Sequence, residues 1–124
     1  MKADFSVGQV WKYKARPHEG ESQITIVAID SDDDFGRIVH IYVADVDIPN
    51  SKAPEGKTSF IGHLPYLEAA LQESVTELVG TADSLPDFED GYQLWKKAFE
   101  AGEAGAFEVA VAEAIKGVEE NIAS

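Results

Sequence analysis

Three histidines, His18, His40 and His63, are the side chains of this chain best suited to move a proton near neutral pH. His40 and Tyr42 alternate within the apolar run from Ile38 to Val46. As strand residues they share one face, about 6–7 Å apart along it. His63 opens the sequence His63, Leu64, Pro65, Tyr66, where strand-like alternation gives way to helical spacing. If a sheet brings these segments together, His40, Tyr42 and His63 converge on a polar pocket, and Trp11 is counted with them as a binding residue. The competing expectation is a hydrogen-bonded structural histidine at the edge of the core, or one that anchors the sheet-to-helix bend. His18 falls in an expected surface turn. Neither a nucleophile elbow nor a His-Glu-x-x-His pattern is present, so no catalytic residue is assigned.

Asp30, Asp32 and Asp34 have the alternate spacing by which calcium loops converge oxygens on a hard cation. The match stops there: Phe35 stands where the loop needs glycine, Ile41 where it needs a bidentate glutamate, and strands flank the segment. A solvated hairpin turn is the expectation, with no metal site. Cysteine is absent, which removes disulfides, thiolate metal sites and a cysteine nucleophile. No cofactor is expected.

Charge narrows the partners. Lys12, Lys14 and Arg16 line one side of the first strand next to Trp11 and Tyr13, but the net charge is −13. Phosphate backbones and anionic membranes repel such a chain, so neither nucleic acid nor membrane is expected as a partner. The basic stripe reads as a solvated face or an internal match to acidic helices. Residues 1–63 carry net −3 and residues 64–124 net −10. Within the second half, Glu100, Glu103, Glu108, Glu113, Glu119 and Glu120 form an acidic set that could dock a basic protein by complementary potential.

These residues are positioned by two kinds of segment. Strands are expected from about Val7 to Arg16, Gln23 to Ile29, Ile38 to Val46 and Thr58 to Ile61. The third has apolar residues on both faces and reads as central. Turns fall at Pro17 to Glu21 and Asp30 to Gly36, and a longer loop at Pro49 to Lys57. From Tyr66 onward Leu67, Leu71, Val75 and Leu78 form a helical stripe ending near Gly80. A second helix runs from about Glu89 to Ala101, with Tyr92, Trp95, Ala98 and Phe99 inward. Phe107 to Val111 fits either a short strand or the approach to a last helix, whose stripe is Ile115, Val118 and Ile122. The fold class is α+β in one domain: an antiparallel sheet of about four strands, open or partly closed as a barrel, followed by two or three packed helices. No apolar run approaches the roughly 18 residues that span a bilayer, and the first residues lack a signal peptide's apolar core. A cytoplasmic location is expected.

Phe5, Gly8, Val10, Trp11 and Tyr13, the run from Gly36 to Val43, and His63, Leu64 and Pro65 with Ala70, Leu71, Ser74 and Val75 carry a resemblance. So does the stretch from Trp95 to Ile115 with Ala104, Gly105 and Phe107. Together they resemble a group of small bacterial single-domain proteins over most of the chain. The resemblance implies a bacterial single domain and brings no activity with it. The leading expectation for function is therefore a non-enzymatic acidic interaction or immunity-type module. The alternative is a small-molecule binder or modest enzyme with a pocket near His40, Tyr42 and His63. A homo-oligomer is a third reading.

Overall fold

The computed structural model describes residues 4–123. Five antiparallel strands form one open sheet in the order β4-β3-β2-β1-β5. In chain order they are β1 (Gln9–Tyr13), β2 (Gln23–Asp32), β3 (Gly36–Pro49), β4 (Lys57–Leu67) and β5 (Val75–Thr81). Helix α1 (Glu68–Ser74) separates β4 from β5, and α2 (Glu89–Glu100) and α3 (Val111–Ala123) follow. The fold class is the expected α+β arrangement, and the sheet is open.

The β2–β3 hairpin sets the register on which the site depends. Its turn is Asp33, Asp34 and Phe35, and Gly36, where β3 begins, takes the left-handed conformation (φ 73°) that glycine adopts without a Cβ clash. Asp32 accepts from the amides of Asp34 and Phe35 and closes the turn. Pairing then runs Asp30↔Ile38 and Ala28↔His40. The acidic run was expected to be turn throughout, yet β2 continues through it to Asp32.

One sheet face builds the main core. Ile24 and Ile26 of β2, Val39, Ile41 and Val43 of β3, and Leu64 and Tyr66 of β4 pack there under Leu71 of α1 and Val111, Ala114 and Ile115 of α3. The apolar stripe of α3 is the expected one, extended by Val118 and Ile122. Ser74 ties the two covering helices together, its hydroxyl accepting from the Val111 amide (3.1 Å). Arg16 grips the buried Glu19 carboxylate (2.6 and 2.8 Å) and reaches Glu119 of α3 (3.3 Å). Glu19 also accepts from the Asp47 amide. Burial works against the Glu19 charge, but these donors hold its carboxyl below the ordinary range.

Two further segments differ from the expected pattern. The helix that was to run from Tyr66 towards Gly80 ends at Ser74, and residues 75–81 form β5 along the free edge of β1. Val75, Thr76 and Val79 are β-branched and favour a strand, and β1 offers an unpaired backbone. The i, i+4 spacing of Leu71 and Val75 therefore bridges two elements. Likewise β4 does not close near Ile61 but continues to Leu67, carrying Pro65 on an edge strand where a missing N–H is tolerated. His63 lies inside this strand. Phe107 makes a single parallel bridge to Tyr66, and no strand forms around it. No helix among the described residues is long and apolar enough to cross a membrane.

Candidate functional site

Helix α2 packs on the opposite sheet face, and the site lies beneath it. A bulge in β4 puts His63 there. Ile41 pairs with Leu64 and Val43 with Ile61, so three steps of β4 oppose two of β3. The inserted residue reverses the alternation. Ile61 thereby faces the main core, while His63, two positions on, faces α2 beside His40.

His40 has no exposed surface. Its Nε2 lies 2.9 Å from Asp30 Oδ2 and its Nδ1 lies 2.8 Å from His63 Nε2. The same Asp30 oxygen accepts the Tyr92 hydroxyl at 2.8 Å. The partners assign the protons. His40 donates from Nε2 to the carboxylate, so neutral His40 accepts at Nδ1, and His63 donates from Nε2. His63 Nδ1 is left as an acceptor with no hydrogen bond among the described residues.

Aromatic rings wall the network. Tyr92 and Trp95 meet His40 edge-on, with centroids at 4.9 and 4.5 Å, and the two imidazoles lie nearly parallel at 5.0 Å. Trp95 donates its indole N–H to the Gly105 carbonyl (2.7 Å) and stacks on Phe99 (4.7 Å), which leans on Phe35. The expected inward residues of α2 thus face the outer side of the sheet, away from the main core. Gly91 lets the helix approach: a Cβ there would stand 3.0 Å from the Cβ of His63.

Burial sets the protonation states. It lowers the His63 pKa to about 4, and the neighbouring His40 adds to the effect. Burial also lowers the His40 pKa, but Asp30 in direct contact pulls the other way. Tyr92 is pushed up to about 12 by burial and by its bond to Asp30, so its phenol stays a donor. At neutral pH both imidazoles are uncharged.

Grooves open on both sides of α2. One of about 300 Å³ adjoins His63 and is lined also by Gly62, Asp87, Phe88, Asp90 and Gly91. The second, about 190 Å³, adjoins Asp30 and lies beside Trp95, Lys96 and Phe99. Together with the unengaged nitrogen of His63, the first groove offers a hydrogen-bond acceptor and a neutral base to a small ligand.

The other expected pocket residues sit elsewhere. Tyr42 shares the face of His40 but stacks on Phe60 (5.6 Å). Trp11 pairs with Ile24 on the main-core face, meets Phe5 edge-on and donates to Gln9. Alternation puts residues two apart on one face; it does not make them touch. Asp30, Tyr92 and Trp95 were missed as site residues. The signal for Asp30 was the hairpin register, which makes it the diagonal neighbour of His40. Nothing in the sequence says on which sheet face α2 docks. Among the described residues no cluster of His, Asp and Glu is arranged to hold a metal ion. Glu119 pairs with Arg16. Glu100, Glu103, Glu108, Glu113 and Glu120 are exposed on α2, the following loop and α3. No known protein family, curated protein or solved structure matches the chain. The site is therefore read from its geometry.

Proposed function

We propose that the protein binds a small molecule in the groove between β4 and the first turn of α2, with Nδ1 of His63 as hydrogen-bond acceptor and general base. One observation carries this reading. His63, with its inner N–H committed to a buried imidazole–carboxylate pair, lines a groove of ligand size, and its other ring nitrogen makes no hydrogen bond among the described residues. The network also fastens α2, but fastening alone does not call for it. Well-packed apolar side chains stabilise a buried interface as well as a polar network does.

The test is a fragment screen on the isotope-labelled full chain, read from the amide and imidazole signals of Gly62, His63 and Gly91. Polar fragments with an acidic N–H or O–H should shift these signals, and His63→Ala should weaken binding by about tenfold, the worth of one hydrogen bond. If no fragment at millimolar concentration moves them, the reading fails.

A second reading is an acidic module that docks a basic protein. Its support is the exposure of Glu100, Glu103, Glu108 and Glu113 within the half that carries net −10. Low-salt capture from a bacterial lysate would compare the wild type with a variant bearing glutamine at these four positions. Recovery of the same proteins by both would refute the docking surface.

A further inference from the structure

His63 alone is a poor base. Taking up a proton would leave a cation in a half-buried position, 5.0 Å from the centre of a second imidazole. His40 is the better seat for that charge, because it touches the Asp30 carboxylate at 2.9 Å. Yet His40 is wholly buried and has no contact with solvent. The 2.8 Å hydrogen bond from His63 Nε2 to His40 Nδ1 joins the ring that lines the groove to the favourable seat.

We propose that a proton taken up at Nδ1 of His63 comes to rest as positive charge on His40 beside Asp30, so that His40 and Asp30 are positioning residues for proton transfer in the groove. The inference rests on reading the groove as an acid–base site. The step balances within the two rings. A bond forms from the ligand's proton to His63 Nδ1, the His63 Nε2–H bond breaks, and that proton bonds to His40 Nδ1. His63 ends neutral with its proton on Nδ1, His40 ends as imidazolium, and the ligand is left one proton poorer.

The groups facing His40 decide where the charge lies. From β2 comes Asp30, from β4 His63, and from α2 Tyr92 and Lys96. Lys96 opposes a charge on His40, but it is exposed and solvent-screened, while Asp30 is in contact. Tyr92 fixes the carboxylate by donating to the oxygen that His40 uses. Asp87 and Asp90 line the His63 groove and add negative potential there. Base strength at the groove thus comes from a pair of residues that a ligand does not touch. The groove itself keeps an uncharged imidazole after the proton has moved.

The experiment follows imidazole protonation in the full chain by long-range proton–nitrogen spectra from pH 8 to pH 4. At pH 8 both rings should carry their proton on Nε2. On acidification His40 should become doubly protonated while His63 changes from Nε2–H to Nδ1–H. A doubly protonated His63 beside a neutral His40 would overturn the proposal, as would titration without a change of tautomer. In Asp30→Asn an oxygen still accepts from His40 and Tyr92, but the charge is gone. The midpoint of the pair should then fall by about one pH unit or more. An unchanged midpoint overturns the role of Asp30, and the wild-type spectra decide alone if the variant does not fold. The two readings fail separately. Proton transfer without fragment binding supports the relay and removes the ligand site; binding with static tautomers does the reverse.

Discussion

At the scale of residues, burying two imidazoles uncharged links stability to pH. Histidine in an unfolded chain titrates near 6.5, whereas folded His63 is held down at about 4 by burial and by His40. The His40 pKa moves the same way. Between those limits the unfolded chain binds protons that the native one refuses. The stabilisation is therefore complete above about pH 6.5 and is lost as pH falls towards 4. His63→Gln keeps an N–H donor for His40 and removes one titrating group. Its denaturation midpoint should fall less between pH 7 and pH 5 than the wild type's, as followed by circular dichroism in urea. Equal losses would mean that carboxylates, not the imidazoles, govern the acid limb. This pairing of His40 with His63 was half legible in the sequence. The two residue types and their strands could be read, but Asp30 looked like one of several turn aspartates because its role depends on hairpin register.

At the scale of elements, the site depends on one bulge and one glycine. The bulge in β4 separates the facing of Ile61 from that of His63, a reversal that simple alternation does not foretell. The same limit explains β5. Hydrophobic spacing extended the first helix through Val75, and only the unpaired edge of β1 shows that the backbone is better satisfied as a strand. The α+β class and the last two helices were legible, because their stripes are long and periodic. Gly91 and Gly117 offer a paired test of how α2 is seated. Both lie within helices, where alanine normally adds about 1 kcal/mol. Around Gly117 nothing lies within 4 Å of a new Cβ, so Gly117→Ala should stabilise by about that amount. At Gly91 the new atom would sit 3.0 Å from the His63 Cβ, which β4 holds in place. Gly91→Ala should forfeit the gain, push α2 outward and change the fluorescence of Trp95, which rests on His40. A Gly91→Ala protein as stable as Gly117→Ala, with unchanged tryptophan emission, would show that α2 is not closely seated.

At the scale of the whole molecule, charge opposes compaction. The chain carries 23 carboxylate side chains against 10 lysines and arginines, and some of those cations are already committed. Arg16 serves Glu19 and Glu119, Arg37 serves Glu68, and Lys12 serves Glu77. Of these, the Arg16–Glu19 pair is the well-shielded one; the Lys12 and Arg37 pairs are exposed enough to contribute little. Mutual repulsion among the remaining carboxylates, concentrated after residue 63, should then outweigh attraction between exposed pairs. Raising sodium chloride from 0.01 to 0.15 M shortens the screening length from about 30 Å to about 8 Å. Repulsion over longer distances is suppressed first, while the contact pairs around Glu19 are largely unaffected. The thermal midpoint at pH 7 should therefore rise over this range. The variant with glutamine at positions 100, 103, 108 and 113 should begin higher and rise less, because it starts with four fewer negative charges in the acidic half. A midpoint that falls with salt in the wild type would mean that ion pairs dominate the field.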